Sequence, residues 1–150
     1  MPMLSCIGIE PKAPAIATVI LLHGLGANGN DFVPMVAELR LPADLPVRFI
    51  FPNAPSIPVT INGGYVMPAW YDITEINIDR KIDATQLIVS AEQVRLLIDR
   101  EIDRGIPSHR IVIAGFSQGG AIALQTALRY PARLAGVLAL SSYLPLPDKL

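Results

Sequence analysis

Continuous runs of β-branched and aliphatic residues alternate along this chain with segments of helical character. That alternation narrows the fold to a mainly parallel sheet with helices on its faces, an α/β architecture. Ile16-Ala17-Thr18-Val19-Ile20-Leu21-Leu22 is the clearest run, with the unbroken apolar character of a strand buried on both sides. Val47-Arg48-Phe49-Ile50-Phe51 is a second strand, halted by Pro52, and Arg110-Ile111-Val112-Ile113-Ala114 and Gly136-Val137-Leu138-Ala139-Leu140 are two more. Between them, Asn30 or Asp31 offers an N-cap for a short helix through about Leu39. From Asp83 to Arg104, apolar residues recur at Ala84, Leu87, Ile88, Ala91, Val94, Ile98 and Ile102, which is the one-face spacing of an amphipathic helix. Gly105 and Pro107 end it. Gln118 to Tyr130 is rich in Ala and Leu, reads as a helix, and stops at Pro131.

Residues 52 to 75 break this rhythm with Pro52, Pro55, Pro58 and Pro68. A loop this long in a compact domain is functional or disordered, and Tyr65, Met67, Trp70 and Tyr71 argue against disorder. Asn62-Gly63-Gly64 marks a turn, fit for a small hairpin. Two readings stand for the loop: a wall of a functional site, or a plug that packs its own small core.

Composition removes whole classes of function. The 150 residues fit one domain, residues 1–150, with no linker dividing them. Twelve basic and 13 acidic residues are scattered without a basic stripe, so nucleic acid is excluded as a partner. No apolar run reaches the ~18 residues of a membrane span. The start lacks a basic region followed by an apolar run, the mark of a signal peptide. The single cysteine rules out an internal disulfide framework. A cytoplasmic protein with no cofactor and no metal is expected.

The chemistry sits at Gly115-Phe116-Ser117-Gln118-Gly119, a G-x-S-x-G between a strand and a helix. The turn crowds strand against helix, so the positions flanking the serine must be small. Ser117 is thereby raised at the carboxyl end of the sheet and the N-terminus of a helix, where N–H groups favour developing negative charge. The alternative is an ordinary serine N-cap. A second signal, His23-Gly24-Leu25-Gly26, follows the first buried strand. A glycine-rich turn there turns backbone N–H groups toward the nucleophile, giving an oxyanion hole from the N–H groups of Leu25 and Gln118, with their side chains incidental.

The same stretch raises a rival. Gly24-Leu25-Gly26-Ala27-Asn28-Gly29 matches the G-x-G-x-x-G of dinucleotide-binding modules. The context fails, because the helix begins only after Gly29 and the next strand ends Phe51-Pro52-Asn53 with no acidic residue to hold a ribose.

Taken in order, Leu22-His23-Gly24-Leu25-Gly26-Ala27, Phe51-Pro52-Asn53-Ala54-Pro55, Asn62-Gly63-Gly64, Trp70-Tyr71-Asp72 and Gly115-Phe116-Ser117-Gln118-Gly119-Gly120 resemble the carboxylesterases and acyl-protein thioesterases, the phospholipase/carboxylesterase family of α/β-hydrolases. The resemblance implies hydrolysis of short carboxylic esters, with acyl thioesters and lysophospholipids as further candidates. It implies an acyl-enzyme on Ser117, an oxyanion hole from Leu25 and Gln118, and Trp70 bordering the acyl site. It also implies that the chain covers roughly the first two thirds of a member, with the C-terminal strands missing.

A serine nucleophile needs a base, normally a histidine oriented by a carboxylate, and in α/β-hydrolases both follow the serine. The 33 residues after Ser117 contain no histidine. His109 precedes its strand, on the order of 20 Å from Ser117 at ~3.3 Å per residue, and reads as a turn residue. His23 lies at the correct edge; in the family its position braces the oxyanion loop, with a base role as the alternative. Asp148 reads as a solvated terminal residue. Two function classes follow: a hydrolase whose base and acid partner lie outside this chain, or a non-catalytic remnant or assembly partner keeping the first six-strand region of the fold. With its next strand absent, the strand Gly136–Leu140 would offer an open edge for self-association.

Overall fold

The computed structural model describes residues 2–75 and 82–150. Four parallel strands and one antiparallel strand form the main sheet: β1 (Cys6–Ile9), β2 (Ala17–Leu22), β3 (Val47–Pro52), β6 (Ile111–Phe116) and β7 (Gly136–Leu140), in the order β1-β3-β2-β6-β7. Only β1 runs antiparallel, against β3. Residues 56–68 form a separate hairpin, β4 (Ser56–Val59) and β5 (Tyr65–Pro68), closed through Gly63 and Gly64 at φ 68° and 77°. The turn signal at Asn62-Gly63-Gly64 is thus a hairpin. The main sheet has five strands among the described residues rather than six.

Alternation along the strands divides the core in two. Ile20, Leu22, Ile50, Ile111 and Ile113 point into one face with Leu87, Val94, Leu97, Ile98 and Ile122. These come from helices α2 (Ala84–Asp103) and α3 (Gln118–Arg129). Leu21, Phe49, Phe51 and Ala114 point the other way, against Phe32, Val33, Met35 and Val36. Helical elements therefore cover both faces, and each fully buried Ile or Leu contributes about 1.5–3 kcal/mol.

The helix expected from Asn30 or Asp31 to Leu39 is broken into a 3₁₀ turn, Gly29–Phe32, and the short α1, Met35–Glu38. Pro34 is the reason, because it has no N–H to continue the ladder. The cap is Asn28, whose side chain accepts from the N–H of Asn30 at 2.8 Å. Asp83 caps α2 by accepting from the N–H of Gln86 at 2.9 Å. No helix among the described residues is long and apolar enough to cross a membrane.

Register places the site. Leu22 lies beside Gly115, and Phe116 beside Leu140. The segments that follow β2, β6 and β7 therefore emerge together at one carboxyl edge of the sheet.

Candidate active site

Ser117 caps α3 at φ 55° and ψ −117°. A non-glycine residue at positive φ stores ~1–3 kcal/mol of strain and persists only where its surroundings over-determine it. Here they do: the N–H of Ser117 donates to the carbonyl of Leu140 at 2.8 Å, and its own carbonyl accepts from the Ser142 hydroxyl at 2.7 Å. Both bonds come from the end of β7. The flanking glycines answer a steric demand. A Cβ on Gly115 would lie 2.3 Å from the Gly119 backbone, and one on Gly119 would lie 2.4 Å from the carbonyl oxygens of Leu22 and His23.

Ser117 and Leu25 line one groove of about 360 Å³. In the turn after β2, the N–H of Gly26 donates to the Pro68 carbonyl and that of Ala27 to the Gly24 carbonyl. The N–H of Leu25 has no acceptor among the described residues. Gln118 is the first residue of α3, and the first-turn N–H groups of a helix have no intrahelical acceptor.

Two sequence-based expectations are corrected here, and the alternative role of His23 falls. Trp70 does not border the groove: it is 1% exposed, packed in the core with Ile20 and Leu22. Its indole Nε1–H donates to the His23 carbonyl at 2.9 Å, and its ring lies 5.1 Å from the His23 ring. The Gln118 side chain is not incidental. It is buried, accepts from the Trp70 N–H at 2.7 Å through Oε1, and donates from Nε2 to the Tyr71 carbonyl at 2.7 Å. Residues 70–71 thus form one strut that grips both the turn carrying Leu25 and the first residue of α3. A buried amide with both ends bonded in this way would strand two backbone partners if it were lost, at a cost of ~1–3 kcal/mol per unsatisfied group.

His23 is not a base. It is 1% exposed. Its Nε2 accepts from the Ala54 N–H at 3.0 Å, so the network assigns the proton to Nδ1, which donates to the Gly24 carbonyl at 2.7 Å. Burial holds its pKa below the ordinary 6.5, against the opposing pull of the Gly24 carbonyl and of Asp31. The sign follows from proton counting. With the folded pKa depressed, the unfolded chain binds the proton first, so stability is full above pH 6.5 and declines as pH falls toward the folded value. Chemical denaturation at pH 7.5 and 5.5 should give a lower midpoint at the acid value, with the His23 ring still neutral by NMR below pH 6.5. A His23 pKa at or above 6.5 would refute this assignment.

Of the remaining titratable residues, His109 sits in the turn Ser108–Arg110 before β6, at the far edge of the sheet, and Asp148 is exposed in the turn Pro147–Lys149. No histidine adjoins Ser117 among the described residues. No group of three or more metal-ligating side chains occurs among them either. The dinucleotide reading fails on geometry. Gly29 opens a four-residue 3₁₀ turn, its N–H donates to Asn53 Oδ1 at 2.8 Å, and a Cβ there would lie 2.7 Å from the Phe51 carbonyl. Asn53 is a site-supporting residue that the sequence left unassigned; its position in Phe51-Pro52-Asn53 was the signal available.

Comparison with known proteins agrees with this geometry. The family described as Phospholipase/Carboxylesterase matches residues 6–150. Acyl-protein thioesterase 1 of Schizosaccharomyces pombe is 46% identical over 146 residues, 97% of this chain and 64% of the relative. That of Yarrowia lipolytica is 43% identical, over 99% of this chain and 66% of the relative. Among solved structures, Arabidopsis thaliana SOBER1 superposes with a TM-score of 0.81 at 34% identity, over 86% of this chain and 62% of that one. Zea mays acyl-protein thioesterase 2 gives 0.79 at 30%, over 96% and 64%. The chain spans just under two thirds of the length of the curated relatives it matches. On its sequence, its sheet order and its serine elbow, the chain belongs to the phospholipase/carboxylesterase family of α/β-hydrolases.

Proposed function

We propose that this chain carries the nucleophile and the oxyanion-binding half of a serine hydrolase that cleaves carboxylic esters and acyl thioesters through an acyl-enzyme. The observation that carries this reading is Ser117, held at positive φ in the same groove as the unengaged N–H of Leu25. Ser117 Oγ attacks the carbonyl carbon and gives its proton to a base. The tetrahedral intermediate collapses, the alcohol or thiol leaves with that proton, and water repeats the sequence to release the acid and restore Ser117. Negative charge develops on the carbonyl oxygen, where the N–H groups of Leu25 and Gln118 receive it. Trp70, Gln118 and His23 set the spacing of those donors from behind. The base and its orienting carboxylate are assigned to residues outside these 150.

Support for the thioester branch comes from the relatives, named acyl-protein thioesterases at 43–46% identity. The test is Ser117-dependent hydrolysis of p-nitrophenyl acetate and butyrate. The 150 residues alone should turn over weakly, and the chain continued through the relatives' full length should turn over well. Strong Ser117-dependent turnover by the 150 residues would place the base within them; none by the continued chain would overturn the hydrolase reading. A cytoplasmic setting accords with the lone, unpaired Cys6.

Self-association belongs to the same proposal. The outer edge of β7 pairs with no strand among the described residues, and Leu138 and Leu140 are 54% and 47% exposed. An uncharged open edge is a template for pairing with a second copy. Light scattering on the 150-residue chain at rising concentration should show growing mass. A monomer at every concentration would refute it.

A further inference from the structure

Beside Ser117 lies a charge that the hydrolysis does not use. The groove holding Ser117, Gly24 and Leu25 is also lined by Asp31, Phe32 and Phe116. Asp31 is the one charged residue in that lining, and it makes no ion pair or side-chain hydrogen bond among the described residues. Its backbone is fixed: the Asn28 cap opens its 3₁₀ turn, and its N–H donates to the Asn28 carbonyl at 3.1 Å. Phe116 is 41% exposed and meets Phe32 edge to face, centroids 6.1 Å apart. Phe116 is thus a partly exposed aromatic residue in the lining of the groove.

A carboxylate without an ion-pair partner and a partly exposed aromatic ring lining one groove both attract positive charge, by Coulomb attraction and through the ring quadrupole. It also repels the oxyanion that forms in the same groove. A cation bound there offsets that repulsion where the negative charge develops. We infer that this groove selects substrates bearing an ammonium or quaternary ammonium group close to the scissile carbonyl, with Asp31 supplying the charge and Phe116 the ring face. This deepens the hydrolase reading by naming a substrate class, and rests on it for the chemistry.

Binding measured without turnover separates the two. In the Ser117→Ala protein, butyrylcholine and its neutral isostere, 3,3-dimethylbutyl butyrate, are titrated and followed by NMR shifts. Butyrylcholine should bind roughly threefold to tenfold more tightly at low salt. Asp31→Asn should bring the ratio of the two Kd values close to one, and raising the salt toward about 0.5 M should shrink it, because exposed charges are screened. Equal affinities, or a preference that survives Asp31→Asn or ignores salt, would overturn the inference. Failure of ester turnover leaves this ratio intact, whereas a ratio of one with Ser117-dependent turnover preserved sinks the cation selection alone.

Discussion

Ser117→Ala in the chain continued through its relatives' full length should lower kcat on p-nitrophenyl butyrate by roughly 10⁴- to 10⁶-fold, with KM little changed. The size follows from what is removed. Without a nucleophile no acyl-enzyme forms, and only the donors and the groove remain to help water attack, a residue of catalysis worth about 10³–10⁴ over the uncatalysed reaction. The alanine methyl fits where the serine Cβ already sits, so the elbow, its bonds to Leu140 and Ser142 and the groove should persist. Substrate binding is then spared and the loss falls on kcat. A Ser117→Ala enzyme with normal kcat would show that Ser117 is not the nucleophile. A loss appearing mainly in KM would show that the hydroxyl binds substrate rather than attacking it.

The strand–turn–helix elbow at Ser117 was legible in the sequence because its demands are local. Gly115 and Gly119 must be small for backbone clearance, and a strand before them with a helix after them leaves a pattern five residues long. The parallel sheet was legible for a similar reason, since strands buried on both faces write unbroken apolar runs. β1 was not: Cys6-Ile7-Gly8-Ile9 is four residues at a sheet edge, too short to show a period and interrupted by glycine. The strut at residues 70–71 was misread as a wall of the acyl site, and the Gln118 side chain as idle. Trp70 and Gln118 are 48 residues apart and meet through a side-chain amide and a backbone N–H. Such a bond imposes no spacing and no composition, so no local pattern records it. His23 illustrates the same limit. Its place at the carboxyl edge was readable, while the hydrogen bond it accepts from the Ala54 N–H, 31 residues away, was not.

A second large effect is expected far from the serine, at Glu101. This carboxylate is fully buried near the end of α2. Its Oε1 accepts from the Thr18 hydroxyl at 2.6 Å and from Arg48 at 2.8 Å, and its Oε2 from Arg104 at 3.0 Å. Glu10 holds the outer sides of the same two arginines, at 2.8 and 3.2 Å, but is 56% exposed. One buried charge therefore ties α2 to β2 and β3, the strands that lead to the turn carrying Leu25 and to Asn53. Glu101→Gln keeps the volume and removes the charge, leaving Arg48, whose side chain is 12% exposed, with Glu10 as its remaining carboxylate. Breaking a buried pair from one side costs ~3–5 kcal/mol, and the lower end applies because Arg104 is 40% exposed and can turn to water. At ~2–4 °C per kcal/mol for a chain of this size, a loss of about 3 kcal/mol lowers Tm by roughly 6–12 °C. Glu10→Gln, acting on the exposed side, should cost under ~1 kcal/mol. Adding Arg48→Met to Glu101→Gln should recover part of the loss, since the stranded cation is then gone. Equal effects of Glu101→Gln and Glu10→Gln on Tm would show that burial adds nothing to this network.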